Sequence, residues 1–242
     1  MKHIILLLAA ILSINNAHAQ WWSSNKSIKG NGQIITKIYS TSGYDKISGK
    51  NNIDITIVKG KEGTITVEAE SNIMEHLEIE VKDNRLEIVI EDGYHINTRK
   101  RIKVTVPVEK ISGLSMAGSG DITSNIKLKS RELYISVAGS GDINVAVASE
   151  RLHVSVSGSG EVKVSGRTEH LEATVAGSGG IAGFNLKAKH VDASIDGSGD
   201  ISVFCMGGEL QASIVGSGDL RYKGTTSRVK KSIMGSGDIT KM

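Results

Sequence analysis

Gly118-Ser119-Gly120-Asp121-Ile122 opens a motif that returns as Gly139-Ser140-Gly141-Asp142-Ile143, Gly158-Ser159-Gly160-Glu161-Val162, Gly177-Ser178-Gly179-Gly180-Ile181, Gly197-Ser198-Gly199-Asp200-Ile201, Gly216-Ser217-Gly218-Asp219-Leu220 and Gly235-Ser236-Gly237-Asp238-Ile239. Subtracting the positions of successive first glycines gives intervals of 21, 19, 19, 20, 19 and 19. A nearly fixed period of this size marks one supersecondary unit copied along the chain.

Alignment on the first glycine exposes the unit's pattern. Four residues after it stand Ile122, Ile143, Val162, Ile181, Ile201, Leu220 and Ile239; two before it, Met116, Val137, Val156, Val175, Ile195, Ile214 and Ile233. Four before it stand Leu114, Ile135, Val154, Ala173, Ala193, Ala212 and Lys231. Apolar and polar residues alternate, as in a strand with one buried face. Each unit therefore holds a strand after the corner and a longer one before the next, with no room for a crossover helix. One such unit cannot bury its apolar face alone, whereas stacked copies share a continuous core. The expected fold is all-β, a right-handed parallel β-solenoid (β-helix) of about seven coils over residues 113–242, its hand following from the twist of the strands. Seven coils at about 4.8 Å make a column about 30 Å tall. A β-sandwich with a Gly-Ser-Gly turn in every hairpin would not need the same residue at the same place seven times. Lys231 stands where other coils are apolar, a charge that discourages end-to-end growth.

Residues 34–112 alternate less regularly, at Ile53, Ile55 and Ile57, Leu77, Ile79 and Val81, Leu86, Ile88 and Ile90, and Ile102, Val104 and Val106. This segment is expected to be irregular β structure that caps the first coil. Residues 20–33 are expected as a flexible N-terminus, Trp21 and Trp22 included.

At the start of the chain, Lys2, the apolar run Ile4–Ile14 and Ala17-His18-Ala19 read as a signal peptide over residues 1–19, too short to cross a bilayer as a retained helix. No transmembrane segment is expected after its removal. The protein is thus expected to be exported, to the periplasm, the cell surface or the medium. Its one cysteine, Cys205, excludes an internal disulfide and reads as a small core residue. Charges of both signs are interspersed, with 29 Lys and Arg against 26 Asp and Glu, so nucleic acid is not an expected partner.

Stacking in register would create three polar columns. The corner serines Ser119, Ser140, Ser159, Ser178, Ser198, Ser217 and Ser236 are expected to bond nearby backbone within the turn. A hydroxyl line, Ser115, Ser136, Ser155, Thr174, Ser194, Ser213 and Ser232, should face away from the core and stabilise its neighbours across the sheet; such an array can also face a sugar or an ice lattice. The acids Asp121, Asp142, Glu161, Asp200, Asp219 and Asp238, interrupted by Gly180, are expected to cap amides of their own corners. Calcium-binding β-rolls have a nine-residue repeat and carry a denser acid pattern, which this repeat lacks.

Chemistry-bearing sets are otherwise scarce. His76, His95, His153, His170 and His190 form no HExxH and no paired metal spacing, and no Ser, His and Asp stand out as a triad. No catalytic, cofactor-binding or metal-binding residue set is expected.

The strand pattern from Ile34, the segment Glu70-Ser71-Asn72-Ile73-Met74, the turn into Val104-Thr105-Val106-Pro107 and the recurrent Gly-Ser-Gly-Asp-Ile together resemble the family described as putative auto-transporter adhesin, head GIN domain. The resemblance covers nearly all of the chain after the leader. It implies an exported bacterial envelope protein with a β-helical fold and brings no catalytic residues. The repeat runs to Met242, so the transport function in the family's name is not expected of this chain. The expectation is a non-catalytic, rigid β-solenoid with a structural, binding or adhesin-like role toward an envelope or extracellular protein or glycan, with a homo-oligomer allowed. The alternative is a carbohydrate-active enzyme, a polysaccharide lyase or hydrolase on a parallel β-helix. It would need two carboxyls in unlike environments, which a uniform ladder does not offer.

Overall fold

The computed structural model describes residues 26–242, and most of them lie in strands. Residues 1–19, expected to be a signal peptide, and Trp21 and Trp22 fall outside the described residues. In chain order the strands are β1 (Lys26–Lys29), β2 (Ile34–Ser40), β3 (Lys46–Asn51), β4 (Ile53–Lys59) and β5 (Thr64–Glu70), then the one-turn helix α1 (Ser71–Met74). There follow β6 (Leu77–Lys82), β7 (Arg85–Ile90), β8 (Tyr94–Asn97), β9 (Ile102–Val108), β10 (Gly113–Gly118), β11 (Ile122–Gly139), β12 (Ile143–Gly158), β13 (Glu161–Gly177) and β14 (Gly180–Gly197). The chain finishes with β15 (Asp200–Met206), β16 (Glu209–Gly216), β17 (Leu220–Thr225), β18 (Arg228–Gly235) and β19 (Ile239–Lys241).

From β10 onward the strands stack in parallel as the coils of a β-solenoid, and the corners are in register: Gly118, Gly139, Gly158, Gly177, Gly197, Gly216 and Gly235 lie one above another. One carbonyl closes each corner. The amides of Ser140 and Gly141 both donate to the Gly118 oxygen, each at 2.9 Å, and the same pair recurs at every coil with Ser N–O of 2.8–2.9 Å and Gly N–O of 2.9–3.3 Å. The first glycine holds φ between 116° and 138°, a region L side chains avoid. The third glycine is needed for closeness instead. A Cβ at Gly141, Gly160, Gly179, Gly199, Gly218 or Gly237 would stand 2.0–2.3 Å from the carbonyl oxygen of the glycine beneath. The serine hydroxyls do not perform the expected turn bonding: all seven are exposed, and among the described residues none makes a hydrogen bond. Backbone amides satisfy the turn without them.

Inward residues form continuous files. Ile122, Ile143, Val162, Ile181, Ile201, Leu220 and Ile239 stack in register, and each is buried. A second bend lies across the coil from the Gly-Ser-Gly corner, at Ser130, Ser149, Thr168, Ala188 and Cys205. Polar members of this file are satisfied locally: Ser130 Oγ donates to the Glu132 carbonyl at 2.6 Å, and Thr168 Oγ1, 1% exposed, lies 3.0 Å from the His170 carbonyl. Cys205, followed in the file by Gly224, is a buried thiol whose pKa burial pushes up to about 11, in keeping with a core role.

The stack extends one coil below the first Gly-Ser-Gly. β3 and β4 lie under β10 and β11, with Asn51 opposite Gly118 and Ile55 opposite Ile122. Asn51 adopts φ 66°, a left-handed conformation that asparagine tolerates better than most residues. Its carbonyl accepts the Ser119 and Gly120 amides at 2.9 and 3.2 Å. Gly49 replaces the apolar residue of that file, and the Met116 side chain fills the space, its Cε 2.8 Å from where a Cβ would be.

Below this coil, β7 and β9 continue the parallel stack, and then pairing turns antiparallel: β6 on β7, and β5 between β9 and β2. Antiparallel strands joined by short turns end the column, and α1 plugs its core with buried Ile73 and Met74. The stretch expected to be flexible contains β1, held parallel to β8 with the Lys26 amide on the Gly93 carbonyl and the Gly30 amide on that of Asn97. At the other end Lys231 lies in the file of Ala212. Its ammonium donates to the Ile239 carbonyl and lies 5.7 Å from the Tyr222 ring centroid. It thereby places a charge over the end of the core, beside Ile233, which is 43% exposed.

The corner geometry separates serine from glycine in the cost of substitution. Ser140→Ala is expected to change stability by less than about 0.5 kcal/mol, whereas Gly141→Ala, which drives a Cβ into a backbone oxygen, should cost more than about 3 kcal/mol; urea melts of the two variants check this. Deleting Gly158–Ala176, one whole coil, rejoins equivalent positions and should preserve a cooperative melt and β-type circular dichroism. Deleting Gly158–Val175 reverses a strand's faces and should abolish both.

Candidate ligand-binding face

The acids beside the corner are tied into the fold. Asp121 Oδ1 accepts the amide of Asp142 at 3.2 Å, Asp142 Oδ1 that of Glu161 at 2.9 Å, Asp200 Oδ1 that of Asp219 at 3.0 Å, and Asp219 Oδ1 that of Asp238 at 3.2 Å. The capped amide therefore belongs to the next coil, not to the acid's own corner as expected. Asp238 alone caps its own turn, through the Ile239 amide at 2.8 Å; its pKa is lowered by the Thr240 hydroxyl and then by that amide. The file begins earlier than the motif indicates, at Asp54, whose Oδ1 accepts the Asp121 amide at 3.3 Å and Arg101 at 2.8 Å. At Gly180 the backbone substitutes, its amide donating to the Gly160 carbonyl at 3.1 Å. Two unit charges about 4.8 Å apart repel by about 1 kcal/mol in water, and a hydrogen bond to a charged group contributes about 1.5–3 kcal/mol. The file is thus self-consistent without a bound cation.

The hydroxyl line also forms, and it too begins one coil early: Ser48, Ser115, Ser136, Ser155, Thr174, Ser194, Ser213 and Ser232 align. Its small side chains make a flat strip in which Ser194 Oγ lies 3.4 Å from Thr174 Oγ1.

Beside this strip the outer face becomes chemically varied. Glu132, Arg151, His170 and His190 align in one file, and Tyr134, His153, Glu172 and Asp192 in the next. Arg151, His153, His170, Glu172, His190 and Asp192 of these files, with Glu209 and Gln211 on the following coil, line an open groove of about 410 Å³, and Glu132 and Tyr134 lie beside it on the preceding coil. His153 spans its coil, with Nε2 3.1 Å from Glu132 and Nδ1 2.8 Å from Glu172. Its ring stacks on Tyr134 at 4.5 Å and 6°. The His153 contact, then Tyr134 and Arg151, hold the Glu132 carboxyl below its ordinary pKa, and Glu132 in turn pushes the Tyr134 hydroxyl up. Lys230 bonds Glu209 at 2.7 Å and lowers its pKa. His170 and His190 stack at 4.9 Å.

Sequence reading treats these histidines singly. Their signal is arithmetic: His170 and His190 are one coil apart, so each stands seven positions before the first glycine of its corner, Gly177 and Gly197. His76 lies elsewhere, against Tyr94 and Glu91, and the structure does not bring it or exposed His95 to the groove. A second hollow, about 450 Å³, is more apolar. Ile90, Tyr94, Ile96 and Ile102 wall it, and the corners at Gly118-Ser119 and Gly139-Ser140 floor it. Among the described residues no helix is long and apolar enough to cross a membrane.

The chain belongs to the family described as putative auto-transporter adhesin, head GIN domain, which matches residues 43–226. That span contains the Asn51 corner and six of the seven Gly-Ser-Gly corners. Among solved structures, a putative adhesin from Bacteroides fragilis is 26% identical with a TM-score of 0.83, over 89% of this chain and 100% of that one. A putative lipid binding protein from Parabacteroides distasonis is 29% identical with a TM-score of 0.74, over 90% and 100%. A putative adhesin from Parabacteroides merdae shares the fold, with 21% identity and a TM-score of 0.67 over 89% and 99%. No curated protein matches the chain.

If amides satisfy the acid file, millimolar calcium should move Tm by less than about 2 °C, whereas a 1 kcal/mol effect would move a domain of this size by about 2–4 °C. Asp142→Ala should lower Tm by about 2–4 °C, with Asp142→Asn between it and the parent. Differential scanning calorimetry reads both.

Proposed function

We propose that this chain is an exported, non-catalytic envelope protein of adhesin-like role whose groove face binds a glycan. The observation that carries the reading is the groove itself: it is open and runs across successive coils from Arg151 to Gln211, a shape suited to a chain-like ligand. Tyr134, 51% exposed at the surface, offers a ring face for a sugar, and carboxylates, imidazoles and the hydroxyl strip offer hydrogen-bonding partners. Membership of an adhesin family and the leader-like residues 1–19 support export. The carbohydrate-active enzyme is less well supported, because four of the six regular acids, Asp121, Asp142, Asp200 and Asp219, are engaged in capping amides of the next coil.

The apolar hollow favours a second reading, binding of an acyl chain, and one structural relative carries the name putative lipid binding protein. Ile96→Asp should then abolish uptake of a fluorescent fatty acid.

The glycan reading is tested by immobilising the chain against neutral and acidic polysaccharides. Binding should fall about tenfold in Tyr134→Ala and Glu172→Ala and persist in Ser140→Ala. Absence of binding to every polysaccharide, or release of shortened products that Asp142→Asn or Asp200→Asn abolishes, would overturn it.

A further inference from the structure

Stacking turns a sequence offset of one coil into contact. His170-Leu171-Glu172 and His190-Val191-Asp192 lie on adjacent strands, with His170 opposite His190 and Glu172 opposite Asp192. Alternate residues share a face, so the four groups occupy the corners of a rectangle about 4.8 Å along the column and about 6.6 Å along the strand. Leu171 and Val191, buried between them, pin both strands to the core. The imidazoles are already nearly parallel, at 15°. A Cβ at Gly208 would fall 2.1 Å from the Lys189 carbonyl oxygen and 3.1 Å from His190 Nδ1, so the glycine lets its coil pack directly against the backbone that carries this ring.

The chemistry of the rectangle is unlike that of the corner acids. Glu172 and Asp192 are neighbouring carboxylates, yet neither caps a backbone amide. Glu172 meets only His153, and among the described residues Asp192 has no hydrogen-bond partner. Their mutual repulsion is therefore not offset by the device used at Asp121 or Asp219. Two imidazole nitrogens and two carboxylate oxygens are a ligand set for four-coordinate zinc, with bonds of about 2.0–2.2 Å. The rectangle's centre lies about 4 Å in projection from each Cβ, a span these side chains cover with a metal bond included. No three such groups converge on an ion as the side chains stand among the described residues. The rings, exposed at His170 and half-buried at His190, would have to tilt together until their nitrogens are about 3.3 Å apart, the separation that tetrahedral zinc bonds impose.

We propose that His170, His190, Glu172 and Asp192 bind one zinc ion on the outer face of the solenoid. Nitrogen ligands favour zinc, copper or nickel over calcium and magnesium. The proposal does not depend on the groove's glycan ligand.

The test titrates zinc chloride into the metal-stripped full chain by calorimetry. One zinc per chain is expected, with binding weakened at least about a hundredfold in the His170→Gln/His190→Gln double variant and retained in His95→Gln and Asp121→Asn. Calcium should give no heat. Imidazole NMR of the parent chain supplies a readout that needs no variant: His170 and His190 should shift together on zinc addition, while His76 and His95 stay. No zinc binding, binding that survives the double variant, or shifts confined to other histidines would overturn the site.

Discussion

A carbonyl oxygen that accepts two amides from the coil above is the constraint on which this structure rests. A backbone oxygen has two acceptor positions, and the first residue of each corner uses both, for the serine and the third glycine of the next. The arrangement tolerates no Cβ at the third position and asks for positive φ at the first. It also leaves no freedom to slide by one residue, because the paired amides would lose their acceptor. Register follows, and with it the direction of every side chain: Ile122 and its equivalents go inward, and Ser115 and its equivalents go outward.

This constraint divides the polar residues by position. Those next to the corner are engaged by the stack, as Asp142 is by the Glu161 amide. Those at the second bend turn inward and bond the backbone, as Thr168 does. The arm preceding the corner presents side chains without such duties, and there the residues cease to repeat. Tyr134, His153, Glu172, Asp192, Gln211 and Lys230 succeed one another in a single file, where the core files hold almost only aliphatic residues. Regularity serves the fold, and its breakdown on one face marks where a ligand can be distinguished.

Much of this was visible in the residues. The Gly-Ser-Gly period and the alternation on either side contain the solenoid and its inward files, because stacking repeats one solution and so repeats one pattern. The coil at Lys46–Lys59 escaped, since Asn51-Asn52-Ile53-Asp54-Ile55 solves the same corner with different residues and only the left-handed φ of Asn51 betrays it. The acid file could be located but not its partners: a local cap and a cap on the next coil have the same sequence, and the choice depends on where neighbouring amides point. The serines mislead for a related reason. Their hydroxyls resemble turn formers, while the bonds are made by their amides, which every residue but proline possesses. The groove was hidden because its members are unlike one another and meet only when positions are counted back from each corner.

Coils of unequal length coexist in one column, the intervals between corners running from 19 to 21, and the structure shows where the difference goes. Register breaks fall at Thr123/Lys127, Lys163/Ser165 and Gly183/Lys187, always in the arm that follows the corner. The arm that precedes it keeps unbroken pairing from coil to coil. The two sides thus have different tolerances to change: one absorbs insertions, while the other behaves as a ruled lattice whose marks stay put when a neighbouring line is lengthened. A lineage can therefore add, drop or stretch coils and still rewrite the outward-facing groups one at a time, so recognition can diversify without renegotiating the scaffold.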